Sequence, residues 1–399
     1  MTHRERVLCT LDHQQPDKMA IDFGAMRSTG INVIAYNRLR AHLGLPLTST
    51  KLYDVFQQLA EPEPDILDRF GADVVQLHRH SPSFGVSLDA WRPDTLSDGS
   101  PCLVPAGFHP VRNADGSLEV VVNGTVIARR PAGGYWYDSV YHPLADAQTL
   151  SDIDRHEFGV IGAEEQAYLR RESQRLYDDT DRAILGEFGG NLLECGQSDF
   201  GYGRFMEMLV AERELTEYYL DRLVESHLRN LRIYLECVQN RIHVIQLGDD
   251  LGTQEALQLS PRLYRDLLKP RQEKLFRFIH EHSAVKVFLH SCGAIYDILG
   301  DLAEIGLDII NPVQISSPNM TPAKLKKEFG KKLVFWGGGC DTQHILPRAS
   351  LQEIRKHVEE NIAAFAPGGG YVFTQVHNIQ QEIEAERIIA LYETAVRCR

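Results

Sequence analysis

The sequence has no uninterrupted apolar run of about 18 residues, so no segment is long enough to cross a bilayer as a helix. Positive charge is in deficit: 42 Lys and Arg face 55 Asp and Glu, a net charge of −13. Nucleic acids and anionic membrane surfaces select basic partners, so neither is expected here. Cysteine is sparse, seven residues in an odd count with no framework spacing. The opening stretch MTHRERVLCTLDHQQPD lacks the apolar centre of a secretory leader. A cytoplasmic location with reduced thiols is therefore expected, where cysteines are buried, catalytic or metal-binding rather than cross-linked. Phosphate-loop chemistry is missing too. The triplets Gly337-Gly338-Gly339 and Gly368-Gly369-Gly370 have no G-K-[ST] ending, and nothing matches a dinucleotide fingerprint.

What is present is a regular alternation of short apolar runs and longer amphipathic stretches. Hydrophobic residues make up 43% and charged residues 24% of 399, the balance of a globular chain with ample core. Thr2 and Glu5 have capping-box spacing and open a first helix through Leu11. Strand candidates follow at Met19 to Phe23, ADVVQLH, AILGEFG, VIQLGDD, AVKVFLH, LDIINPVQ, LVFWGGGC and YVFTQVHN. Ser260-Pro261 and Thr321-Pro322 place a cap before a first-turn proline, and Ser350 with Glu353 forms another capping box. Strands alternating with helices require a parallel sheet. Eight of them predict an α/β fold, a closed (β/α)8 TIM barrel with an N-terminal helical extension; an open doubly wound sheet is the alternative. Residues 83–143, with stretches such as SLEVVVNGTVIARR, read as an inserted β-hairpin region within one barrel domain spanning 1–399.

In such a barrel the chemistry gathers where strands end. The runs here finish in His78 and His80, Glu187, Asp249 and Asp250, His290 and Cys292, Asn311 and Gln314, Cys340, and His377 with Asn378. His290 and Cys292 sit at i and i+2 of an extended segment and so share a side. With Cys340 from a later strand they would supply three zinc ligands and leave a fourth position open, as a catalytic site requires. The competing reading makes Cys292 and Cys340 small core residues and His290 a hydrogen-bonded strand end. Two thiolates and a neutral imidazole would cancel the charge of Zn2+, a centre suited to holding a thiol as thiolate for alkyl transfer. Asp249, Asp250 and Glu187 are candidate acid/base groups. His78, Asn311, Gln314, His377 and Asn378 are candidate substrate-binding residues.

The stretches GEFGG, GDDLGTQ with SPRLYRDLLKP, KVFLHSCG, DIINPVQ and VFWGGGCDTQ resemble the uroporphyrinogen decarboxylase superfamily. The H-x-C…C pattern at His290, Cys292 and Cys340 resembles its zinc-containing, cobamide-dependent methyltransferase branch. That resemblance implies methyl transfer between a corrinoid protein and a thiol, or O- or N-demethylation. It implies zinc as metal, a cobamide carried by a corrinoid-binding partner, and a small-molecule methyl donor or thiol acceptor. Barrels of this resemblance often dimerise. The chain itself has no D-x-H-x-x-G cobalamin signature. It departs from the decarboxylases proper, which share an R-Q-A-G-R stretch and an aspartate after an F-S motif. Here the regions read DFGAMRSTGIN, with Arg27 alone, and VVQLHRH. A metal-free decarboxylase using Asp249 or Asp250, and a non-catalytic binding barrel with structural zinc, are the alternatives.

Overall fold

The computed structural model describes residues 1–48 and 50–399. Eight parallel strands form one sheet: β1 (Ala20–Ile21), β2 (Val74–Leu77), β3 (Ala183–Gly189), β4 (Val244–Gly248), β5 (Lys286–His290), β6 (Ile309–Asn311), β7 (Val334–Trp336) and β8 (Tyr371–Phe373). Their hydrogen-bonded order is β1-β8-β7-β6-β5-β4-β3-β2, the sequential winding of a (β/α)8 barrel. Between β1 and β2 the ring is closed by Asp73. Its amide donates to the Ile21 carbonyl at 2.7 Å, and its carboxylate accepts the Ile21 amide at 2.8 Å. The fully buried Asp73 is balanced by Arg6 at 2.6 Å and by Arg399 at 3.0 Å, which tie both chain ends to the closure.

Local signals in the sequence account for the helices. Thr2 and Glu5 make both halves of a capping box, as do Ser350 and Glu353, and the Ser260 hydroxyl accepts the Leu263 amide. Thr321 makes no side-chain cap; the proline after it starts that helix unaided. Proline and local geometry also divide two long amphipathic stretches, giving Tyr202–Ala211 with Arg213–Val238 and Pro261–Leu267 with Lys269–His282. Among the described residues no helix is long and apolar enough to cross a membrane.

The region 83–143 is more than a hairpin. Trp91–Thr95 pairs with Pro101–Pro105, and a separate four-stranded antiparallel sheet runs Asp138–Ser139, Thr125–Arg130, Leu118–Val122, Val111–Arg112. Its buried residues Val104, Phe108, Leu118, Ala128 and Tyr137 join the main hydrophobic cluster, so the excursion packs onto the barrel.

The barrel interior is filled by Val74, Leu185, Val244, Phe288, Ile309, Val334, Val372 and, uppermost on β7, Trp336. The Trp336 indole donates to Asp22 Oδ2 at 2.8 Å, and the same carboxyl accepts the Ala25 amide and the Thr29 hydroxyl. Burial outweighs these donors and raises the Asp22 pKa to about 6. A raised carboxyl contributes stability below its unfolded value and loses it as pH climbs through the folded one. Trp336→Phe removes a donor that favours the charged form. The variant is expected to lose ~2 kcal/mol of unfolding free energy, more at pH 8 than at pH 4, as urea titrations at the two pH values would record.

Candidate active site

The mouth of the barrel gathers a set of ligand-capable atoms from strands that are not neighbours. His290 ends β5, Cys292 lies two residues on, and His377 follows β8; their donor atoms all fall within 4.8 Å of one another. Cys292 Sγ is 3.3 Å from His290 Nε2, and the two imidazole rings are 5.3 Å apart. The register of the barrel prepares this arrangement. His290 stands directly opposite Asn311 on β6, and His290 Nδ1 meets Asn311 Oδ1 at 2.6 Å. The Asn311 amide is oriented by donating Nδ2 to the Trp336 carbonyl at 2.8 Å, and its oxygen also accepts from Ser28. An acceptor at Nδ1 places the His290 proton there and leaves Nε2 as a free lone pair facing Cys292.

His377 is held differently. Its backbone lies in the left-handed region, φ 60°, which is costly for a side chain of this kind. Gln375 Nε2 donates to the His377 carbonyl at 2.9 Å, and the Asn378 amide donates to His377 Nδ1 at 2.8 Å. That contact puts the proton of the neutral ring on Nε2, so coordination through Nε2 requires the contact to be released. Burial first, then His290, lowers the His377 pKa to about 4, and the ring is neutral at pH 7. Burial and the Asp250 carboxylate push the Cys292 thiol well above its ordinary value. Gly293, at φ 88°, makes the turn after Cys292; a Cβ there would sit 2.3 Å from the Thr253 carbonyl oxygen.

The other expected residues fall into distinct places. Asp250 borders the set: its Oδ1 accepts the Cys292 amide at 2.8 Å and lies 3.6 Å from His290 Nε2. Glu194 accepts the Asp250 amide, and burial with the charge of Asp250 raises its pKa. Asp249 is turned away. It is fully buried, and its two oxygens accept the amides of Leu193 and Glu194 at the start of the helix Leu193–Phe200. It anchors that helix and does not line the mouth. Glu187 accepts from Gln76 at 3.1 Å and lies 3.7 Å from Arg27, which is bonded to Asp54, in a second polar cluster at the C-terminal ends of β2 and β3. The His78 ring packs at a tilt against Tyr53, centroids 4.3 Å apart, and lines an outer cleft with Glu61. Asn311 stands behind His290, with no face toward the opening. Gln314 and Asn378 do line the mouth, joined by Gln57, Gln254, Gln343 and Trp136 around a cavity of about 580 Å3.

Cys340 is not with His290 and Cys292. It is fully buried in the outer core, its Sγ toward the Asp341 carbonyl at 3.7 Å. The glycines before it explain why. Gly337, at φ 128°, lets the chain pass the Pro312 carbonyl, where a Cβ would come within 2.1 Å of the oxygen. The triplet thus serves backbone packing between strand ends. The third donor gathered within 4.8 Å of His290 and Cys292 is His377.

A family model described as uroporphyrinogen decarboxylase (URO-D) matches residues 191–397, a span that contains His290, Cys292 and His377. Among solved structures, a methyltransferase from Methanosarcina mazei aligns with all of this chain and 99% of its own, at 17% identity and a TM-score of 0.61. A GH10 endoxylanase retrieved from a sugarcane soil metagenome aligns at 11% identity over 57% of this chain and 94% of its own, TM-score 0.33. A D-psicose 3-epimerase aligns at 10% identity over 62% and 84%, also at 0.33. No curated protein matches in sequence.

Burial and then Glu194 raise the Asp249 pKa to about 7 against the pull of the helix amides. Its stabilising contribution is therefore complete below about 4 and lost as pH rises through 7, with a slope of at most ~1.4 kcal/mol per pH unit. Asp249→Asn should be less stable than the parent at pH 5, with the gap narrowing by pH 8 in chemical unfolding.

Proposed function

The chain belongs to the uroporphyrinogen decarboxylase family, and from that premise we propose that it is a zinc-dependent methyltransferase of a corrinoid-linked demethylation pathway. The observation that carries the proposal is the convergence of one cysteine and two histidines beneath an open cavity. Sulfur and imidazole nitrogen are the donors zinc takes, and three protein ligands leave one position for substrate. His290 fits the metal in orientation, since Asn311 presents it with Nε2 unprotonated, whereas His377 would have to give up the Asn378 contact at Nδ1 to bind through Nε2. Asp250 and Glu194 add negative charge beside it, which favours a cation and keeps the thiol itself protonated.

One thiolate with two neutral imidazoles leaves a zinc-loaded centre at +1, where two thiolates would have made it neutral. When bound, zinc would supply Lewis acidity toward the heteroatom of a methyl donor or hold a thiol acceptor as its thiolate. The charge argument that favoured a thiol over an oxygen loses force with the second cysteine gone, so both substrates belong to the proposal. The cavity binds by carboxamide rather than by charge. Gln57, Gln254, Gln314, Gln343 and Asn378 line it with Trp136 and Phe56, and among the described residues no Lys or Arg does so. A polycarboxylated porphyrinogen would meet no cation there, which argues against decarboxylation. Uncharged methylated compounds suit it better. The residues' own tasks are to orient His290 through Asn311, to seat the donor among the amides, and to hold Cys292 by its amide on Asp250. The cobamide would arrive on a partner protein in the cytoplasm, the compartment in which free cysteines are maintained.

Metal analysis of the purified chain tests the ligand set: Cys292→Ala and His377→Ala should lose stoichiometric zinc, whereas Cys340→Ala should keep it. Retention in the first two, or loss in the third, would sink the assignment. Asn311→Ala, which frees the His290 tautomer, is expected to weaken zinc affinity by about 10- to 100-fold, measured by competition with a chelating dye. For the reaction, zinc-loaded protein is mixed with cob(I)alamin and a panel of methoxy, methylamine and methylthio compounds. Methylcobalamin should form, seen in the visible spectrum, and not form with Cys292→Ala. Carbon dioxide release from a porphyrinogen by metal-free protein would overturn the proposal.

A further inference from the structure

The excursion encloses a second cavity, of about 550 Å3, between its two antiparallel sheets and the N-terminal end of the helix Val33–His42. The chemistry of its lining differs from that of the barrel mouth. Three arginines reach it, Arg92, Arg112 and Arg130, against a single carboxylate, Asp94. In a chain of net charge −13 that local excess of cations stands out. Arg92 is committed: one guanidinium nitrogen bonds Asp94 at 2.9 Å and another the Phe108 carbonyl at 2.8 Å. Its Nε, also buried, has no partner.

The other two arginines have no acid. Arg130 is half-buried; it donates to the neutral Gln58 carboxamide and lies 5.4 Å over the Tyr137 ring, with no carboxylate of the described residues in ion-pair range. Arg112, at the open side, makes no hydrogen bond or ion pair among the described residues. Beside them is Tyr137, 1% exposed, whose hydroxyl has no hydrogen-bond partner among the described residues. A buried hydroxyl left unsatisfied costs about 1–3 kcal/mol, and a buried guanidinium without a counter-charge costs more. Burial and the nearby Arg112 act together to lower the Arg130 pKa, offset only in part by Tyr137. Free donors and free positive charge therefore face one space, with apolar support beside them from Val104, Phe108 and Leu118.

We propose that this cavity binds a small molecule bearing an oxyanion, a carboxylate or a phosphate, held by Arg112 and Arg130 with the Tyr137 hydroxyl donating to it. Guanidinium forks match both oxyanions, and the volume exceeds that of a bare ion, leaving room for an organic body on the apolar wall. The site is separate from the barrel mouth yet shares a wall with it. Gln57, Trp136 and Gln380 face the mouth, while their neighbours Gln58, Tyr137 and Gln381 face the second cavity.

The full chain is titrated by calorimetry with inorganic phosphate and, separately, with citrate, at ionic strength held constant with sodium chloride. Saturable binding of one probe is expected. Phosphate alone assigns a phosphoryl group, citrate alone a carboxylate, and both a general oxyanion site. Tyr137→Phe, which keeps the ring, should bind about tenfold or more weakly. Arg112→Gln, at the exposed edge, and Arg130→Gln should abolish saturation, with circular dichroism reporting the fold of each variant. Absence of saturable binding of either probe overturns the proposal. So does unchanged affinity in Tyr137→Phe and Arg112→Gln, both of which keep the buried framework.

Discussion

A histidine can serve as a ligand only through a ring nitrogen that carries a lone pair and points the right way, and here one carboxamide settles both. Asn311 has its nitrogen bound to the Trp336 carbonyl and its oxygen against His290 Nδ1, so it has no freedom to flip. Trp336 is in turn fixed by Asp22, which the first strand delivers to the same level. A line of hydrogen bonds thus runs from the plug of the barrel to the reactive face of His290. Each link depends on parallel strands being in register, because a slip of one residue would turn Asn311 to the opposite face.

The electrostatics of the mouth follow from the same geometry. Asp250 and Glu194 meet across the end of β4 and the helix after β3, and together they make a negative surround for the neutral His377 imidazole and the protonated Cys292 thiol. Asp249, one residue earlier, faces the opposite way and spends both oxygens on a helix start. Adjacent aspartates therefore divide the labour of the strand end: one fixes the scaffold, the other faces the site. Strand alternation alone produces that division.

All eight barrel strands were legible from sequence, because a strand buried on both faces is a short apolar run and the intervening helices carried caps. His290 and Cys292 were legible for a related reason: their i, i+2 spacing states a shared side without reference to any other element. The third position was not. Cys340 shares an element type with Cys292 and invited pairing, but its thiol is buried with Sγ toward the Asp341 carbonyl, an orientation invisible in one dimension. His377 was read as a substrate residue because its approach to His290 depends on a left-handed backbone and on closure across two intervening strands. Asn311 was read as a substrate-binding candidate, yet its place behind His290 is a matter of register. Trp136 and the second cavity lie in a region with turn-rich composition and no motif, where sequence reports strands without reporting what they enclose.

The wall between the two cavities carries a consequence for how this protein can change over generations. Residues at 57 and 58, 136 and 137, and 380 and 381 look into different rooms. A point substitution can therefore remodel one room and spare the other, so their specificities can drift independently. Insertion or loss of a single residue in any of these segments would exchange the linings of both at once. Length variation in the segments around Trp136 should accordingly be rarer among descendants of this chain than variation in residue type.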